Sequence, residues 1–172
     1  MTRTICLHGP ESTGKSTLAP RLARALGGAV VDEYGRTYAE EHGTDFTMAN
    51  LVTIAQTHDR VTRAMAGGGI DPLIIDTDPL MTAVWADMLF GTRDPWFDAW
   101  HGTADLYLLL DIDLPWIEDG TRMFGTVEAR QRFFDLSRAE LERRQVRWAL
   151  VSGVGDARLT NALAAIRAVW PA

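Results

Sequence analysis

The sequence predicts an α/β fold, a parallel sheet covered by helices on both faces, and three observations carry that expectation. Five short apolar runs alternate with stretches of helical periodicity. The first run leads directly into Gly9-Pro10-Glu11-Ser12-Thr13-Gly14-Lys15-Ser16, a glycine-rich loop placed between a strand and a helix. The chain's 172 residues, 47% of them hydrophobic and 23% charged, suit one domain with one sizeable core.

Thr4 to His8 reads as the first strand, and Ser16 to Leu26, with leucines and alanines at helical spacing and Gly27-Gly28 behind it, as the first helix. A strand over Ala29 to Asp32 follows, then helical stretches to about His42 and from Thr47 to Met65, and a turn at Gly67-Gly68-Gly69. Leu73 to Asp76 is the third strand. Pro79 to Phe90 is a helix with proline in its first turn, and Pro95 to Trp100 is a short second one. Asp105 to Leu110 is an uninterrupted apolar run, as expected of a strand buried on both faces. Val127 to Gln145 reads as a charged helix, Trp148 to Val151 as the last strand and Ala157 to Val169 as a terminal amphipathic helix. Right-handed crossovers between such strands gather ligands outside their carboxyl ends, where His8, Asp32-Glu33, Asp76 with Asp78, and Asp111 with Asp113 fall.

The formal charge of −6 offers no broad basic field, so nucleic acid is not an expected partner. The single cysteine, Cys6, lies inside an apolar run and reads as a buried small hydrophobe in a reducing compartment. No apolar run approaches the length needed to span a bilayer, and the N-terminus lacks a secretory pattern, so the cytoplasm is the expected location. His8, His42, His58 and His101 show no metal-ligand spacing.

The loop's chemistry explains its spacing. Backbone N–H groups from Gly9, Glu11, Ser12, Thr13 and Gly14 through Thr17 line a concavity for phosphate, and the following helix adds the positive end of its dipole. Lys15 reaches the terminal phosphates and Ser16 places a hydroxyl on Mg²⁺. Lys15 is the only lysine in the chain, against sixteen arginines, and it occupies the one slot that demands a slim ammonium. A base-reading Asn-Lys-x-Asp segment therefore cannot exist, which disfavours a GTPase switch. A small-molecule kinase using ATP and Mg²⁺ is the simplest reading, and a P-loop ATPase module without a small acceptor is the alternative.

Asp76, at the end of a buried strand, is the expected carboxylate partner of Mg²⁺. Asp78 faces the acceptor, caps the helix that begins at Pro79, or does both. In the block Asp32-Glu33-Tyr34-Gly35-Arg36, Glu33 could take the proton of an attacking hydroxyl, Tyr34 could stack or hydrogen-bond, and Arg36 could anchor an anionic group or a loop. Arg122, in a segment of about residues 115–135, is the candidate lid cation that closes over the transferred phosphate. The later arginines interleave with Glu128, Glu140 and Glu142 and read as a solvated helix face. Of the tryptophans, Trp96 and Trp100 are the expected pocket-closing pair and the rest are expected in the core.

These blocks together (the phosphate loop, Glu33-Tyr34-Gly35-Arg36, Ile75-Asp76-Thr77-Asp78, and Pro115-Trp116 with Asp119-Gly120 and Arg122) resemble the kinase half of the NadR-type bacterial regulators. The resemblance covers nearly the whole chain. It implies a ribosylnicotinamide kinase of NAD biosynthesis, standing alone, with strand order 2-3-1-4-5 and transfer of phosphate from ATP to the 5′-hydroxyl of nicotinamide riboside to give NMN. By position it implies that Lys15 and Ser16 serve the triphosphate and Mg²⁺, that Asp76 and Asp78 form the family's acidic pair and that Arg122 is its lid arginine. The family carries a stacking tryptophan just before its Glu-Tyr-Gly-Arg, where this chain has Asp32, a candidate substrate-binding carboxylate that could still pair with a cationic pyridinium; another nucleoside or small hydroxyl compound therefore stays open as the acceptor.

Overall fold

A computed structural model describes residues 1–171. In chain order the elements are β1 (Thr4–His8), α1 (Lys15–Leu26), β2 (Ala29–Val31), α2 (Tyr34–His42), α3 (Met48–Ala66), β3 (Leu73–Asp76), α4 (Pro79–Phe90), α5 (Pro95–Ala99), β4 (Leu106–Leu110), α6 (Val127–Arg143), β5 (Trp148–Val151) and α7 (Asp156–Val169). The five strands form one parallel sheet in the order β2-β3-β1-β4-β5, the expected arrangement.

Alternation along the strands sorts the core into two layers, because successive side chains leave a strand on opposite faces. Ile5 and Leu7 of β1, Ile74 of β3 and Leu106, Leu108 and Leu110 of β4 pack with α1 and α7. Cys6, Leu73, Ile75, Tyr107 and Leu109 meet Trp100 and Leu141 on the other face. All five β4 residues are buried, as a doubly covered strand requires. Helix starts follow the sequence's polar residues: the Thr47 side chain accepts from Asn50 N–H and Asn50 answers in a capping box, while Asp78, Asp94 and Thr126 each cap with a side-chain oxygen.

Two expectations change. The segment expected over about 115–135 is irregular only up to residue 126, because Thr126 caps α6 and the rest is that helix's first turns. The face of α6 expected to be solvated holds a buried carboxylate, Glu140, 2% exposed. Arg93 donates to it at 2.8 Å, Arg143 at 2.9 Å and Arg144 at 3.1 Å. Arg93 also pairs with Asp87, and Arg144 reaches the Phe97 carbonyl, so this cluster ties α4, α5 and α6 together. Only Arg138–Glu142 behaves as the expected exposed i,i+4 pair.

Candidate functional site

The phosphate loop depends on two glycines. At Gly9 φ is +130°, and a Cβ there would lie 3.0 Å from the Leu110 carbonyl oxygen. Gly14, at φ +81°, turns the chain into α1 in the left-handed conformation. Within the loop Thr13 Oγ1 donates to the Pro10 carbonyl at 2.9 Å. Lys15 folds its ammonium into the concavity, donating to the carbonyls of Gly9 (2.9 Å) and Pro10 (2.6 Å). Burial lowers its pKa, opposed by Glu33, Asp76 and Glu11.

Ser16 Oγ donates to Asp76 Oδ2 at 2.8 Å, joining the start of α1 to the end of β3. The other Asp76 oxygen, Oδ1, is buried with no partner. Burial raises this carboxyl's pKa against the pull of Lys15 and of the Ser16 hydroxyl. A hydroxyl and a carboxylate with one orphaned oxygen fit Mg²⁺, which takes one or two protein ligands and completes its shell with phosphate and water. Among the described residues no group of three or more His, Cys, Asp or Glu forms a self-sufficient metal cage.

The loop opens into one cavity of 420 Å³. Its phosphate end is lined by residues 11–17. Glu33 and Arg36 from the start of α2, Arg122, and a wall of Phe46, Leu51, Ile54 and Trp85 also line it. Burial, reinforced by the Asp76 carboxylate, pushes Glu33 up to about 7, with Lys15 and Arg36 pulling the other way. Arg36 donates to Asp119 at 2.9 Å, linking α2 to the irregular segment. Partial burial works against Asp119's charge, yet hydrogen bonds from Arg36 and Thr121 hold its carboxyl well below the usual range.

The same segment is held by the phosphate loop itself. Ser12 Oγ donates to the Pro115 carbonyl at 3.2 Å and accepts from Ile117 N–H at 2.9 Å. Both Glu11 oxygens accept from Met123 N–H, at 2.9 and 3.1 Å, and Oε2 also accepts from Phe124 N–H at 3.0 Å. Arg122 is steadied by the Ile117 carbonyl and by Asp119 at 3.2 Å.

The structure thus brings Glu11, Ser12, Thr13, Gly14, Lys15, Ser16, Thr17, Glu33, Arg36 and Arg122 to one cavity, with Asp76 bonded to it through Ser16 and Gly9 behind the lysine. It does not bring Asp32, Tyr34 or Asp78 to the cavity wall. Asp32 is exposed. Tyr34 packs edge-on against Tyr38, at 6.3 Å between ring centres. Asp78 is buried; Oδ1 caps α4 through Leu80 N–H at 2.9 Å, and Oδ2 accepts from the Tyr107 hydroxyl. Trp96 and Trp100 do not close this pocket: Trp100 is buried and donates to Asp59 at 3.0 Å, and both rings lie by a separate surface groove. The tryptophan that lines the cavity is Trp85. Its sequence signal is the i,i+3 pair Thr82 and Trp85, both on the cavity face of a helix apolar on every side.

The sheet order and the loop between β1 and α1 define a P-loop protein with the topology of the nucleoside and nucleotide kinases. The AAA domain family matches residues 4–158, and the chain belongs to it. It is 30% identical over 155 residues to the trifunctional NAD biosynthesis/regulator protein NadR of Escherichia coli (strain K12), covering 87% of this chain and 38% of that protein. The chain therefore spans little more than a third of that relative's length. In three dimensions it is similar to a NadR protein solved in complex with NR, with a TM-score of 0.82 at 21% identity over 99% of this chain and 51% of the other. It is also similar to the thymidylate kinase of Ehrlichia chaffeensis, with a TM-score of 0.68 at 13% identity and 98% of each chain covered. Among the described residues no helix is long and apolar enough to cross a membrane.

Proposed function

We propose that this protein is an ATP-dependent kinase that phosphorylates the hydroxyl of a nucleoside, with nicotinamide riboside, giving NMN, as the acceptor of first choice. One observation carries the reading: the phosphate-loop residues share a single chamber with Glu33 and with an apolar wall of Phe46, Leu51, Ile54 and Trp85. A nucleotide hydrolase without an acceptor has no use for such a chamber, whereas a flat heterocycle is the shape an aromatic and aliphatic wall accepts. The likeness to NadR, and the NR bound in its structural neighbour, supports the choice of acceptor.

In this reading the loop N–H groups and Lys15 hold the β- and γ-phosphates, while Ser16 and Asp76 would hold Mg²⁺, which would supply charge neutralisation for the phosphates. Glu33, pushed up to about 7, accepts the proton of the attacking hydroxyl and so orients it toward the γ-phosphate. Arg122 meets the charge that develops on the transferred group, and its segment excludes water. Asp32, exposed where the NadR family carries its stacking tryptophan, favours a second reading in which the acceptor is a different nucleoside.

ADP release from Mg-ATP, measured alone and with nicotinamide riboside beside a nucleoside panel, tests both. Stimulation by nicotinamide riboside with NMN formed is the expected result. Stimulation by another nucleoside moves the acceptor, and slow hydrolysis indifferent to every acceptor overturns the kinase reading.

A further inference from the structure

The phosphate loop contains an anomaly. A cradle for a polyanion gains nothing from an anion of its own, yet Glu11 stands in it, lines the same cavity as Lys15 and interacts electrostatically with both Lys15 and Arg122. Its carboxylate faces the backbone N–H groups of Met123 and Phe124, the two residues that follow Arg122. With Ser12 bonded to residues 115 and 117, the loop grips the irregular segment on both sides of that arginine. The Phe124 ring adds an apolar anchor, 5.4 Å from Trp85 and 5.5 Å from Phe133. Burial raises the Glu11 carboxyl, and the N–H bonds from Phe124 and Met123 draw it back down.

We propose that Glu11 is a positioning residue that couples closure of the 115–126 segment to nucleotide binding: with the segment down its carboxylate fixes Arg122 beside the phosphates, and with the segment lifted the same carboxylate, stripped of its donors, repels them. Closed segment and bound triphosphate then favour each other, and by linkage each strengthens the other equally. Glu11 acts through the segment and touches no reacting atom. The inference rests on the triphosphate-site reading of the loop and is independent of which acceptor is used.

The test uses the full chain and its Glu11→Ala and Glu11→Gln variants, with three readouts: tryptic cleavage after Arg122, Mg-ATP affinity, and ADP release with and without nicotinamide riboside. In Glu11→Ala, cleavage after Arg122 is expected about tenfold faster without nucleotide, and Mg-ATP is expected to bind at least as tightly as in the parent, on the usual scale of site-to-site coupling. Phosphoryl transfer falls about tenfold in kcat while acceptor-independent ADP release rises relative to transfer, because a lifted segment admits water. Glu11→Gln keeps an acceptor oxygen without the charge, so its cleavage rate stays nearer the parent's while its Mg-ATP affinity rises. Parental cleavage in Glu11→Ala, or Mg-ATP affinity lost in step with turnover, overturns the proposal, as does a parent that fails to bind Mg-ATP. A parent that binds Mg-ATP and shows the cleavage and affinity shifts, yet phosphorylates nothing, leaves the coupling standing and removes the kinase reading.

Discussion

Two buried acidic centres in this molecule use the same residue types to opposite ends. At Glu140 three arginines converge on one carboxylate, both oxygens are occupied, and the hydrogen bonds from Arg143 and Arg93 hold its pKa low in spite of burial. At the cavity, Glu33 and Asp76 share one lysine and one more distant arginine, an Asp76 oxygen has no partner, and both carboxyls are raised by burial. A buried carboxylate whose partners are complete holds helices together; one whose partners are incomplete is waiting for a ligand to finish the set.

The widest gap between the two centres is expected in Lys15→Ala. Turnover should drop on the order of 10³-fold, the scale of losing a preorganised charge at a transition state, while Tm stays within about 4 °C of the parent. Parental turnover would remove the phosphate loop from the mechanism. Glu140→Ala should do the converse, lowering stability by about 3 kcal/mol in denaturant titrations because its arginines lose a buried counter-charge, with turnover per folded molecule unchanged. A lower turnover per folded molecule in that variant would show that the two centres communicate. Glu33→Gln should reduce kcat on the order of 10²-fold with little change in ATP affinity. The parent's kcat/KM for the acceptor should rise with pH through about 7 as Glu33 ionises, and the Gln variant should lack that rise. An equal loss of ATP affinity and kcat would instead make Glu33 structural.

Burial produces opposite pH dependences elsewhere in the core. Asp78, raised to about 6, keeps its proton in the folded chain where the unfolded chain has lost it; its share of stability is full at acid pH and is lost as pH rises from 3.8 toward 6. His8 and His58, lowered to about 4, do the reverse, their share being full above 6.5 and lost as pH falls toward 4. His58→Gln should therefore shrink the fall in Tm between about pH 7 and pH 4.5, and an unchanged fall would assign the acid sensitivity to His8 and the remaining groups. The smallest effect is expected at Asp32→Asn, which should alter acceptor KM by less than about twofold, the ordinary outcome at an exposed position. A larger change would bring Asp32 itself into the acceptor site.

The sheet was legible because its strands are apolar runs whose ends the glycines, prolines and caps mark; β1, β3, α4 and β5 begin and end where the residues predict. The phosphate loop was legible because its chemistry is local, complete within residues 9–17. What sequence spacing misses is what depends on helix phase and on distant chain. Trp85 and Trp96 are equally aromatic, but only the first lies on the face that α4 turns to the cavity. Glu140 sits in a charged run indistinguishable from a wet surface until α4 and α5 pack over it. Glu11 meets its partners 112 and 113 residues away.

The folded lysine of the phosphate loop has a practical corollary. It is the sole lysine of these 172 residues, its amine is tied to the Gly9 and Pro10 carbonyls, and only 8% of the residue is exposed, so the one side-chain amine here is shielded from acylation while the loop holds its shape. Acylation of Lys15 by an amine-directed label therefore records how often the phosphate cradle comes apart.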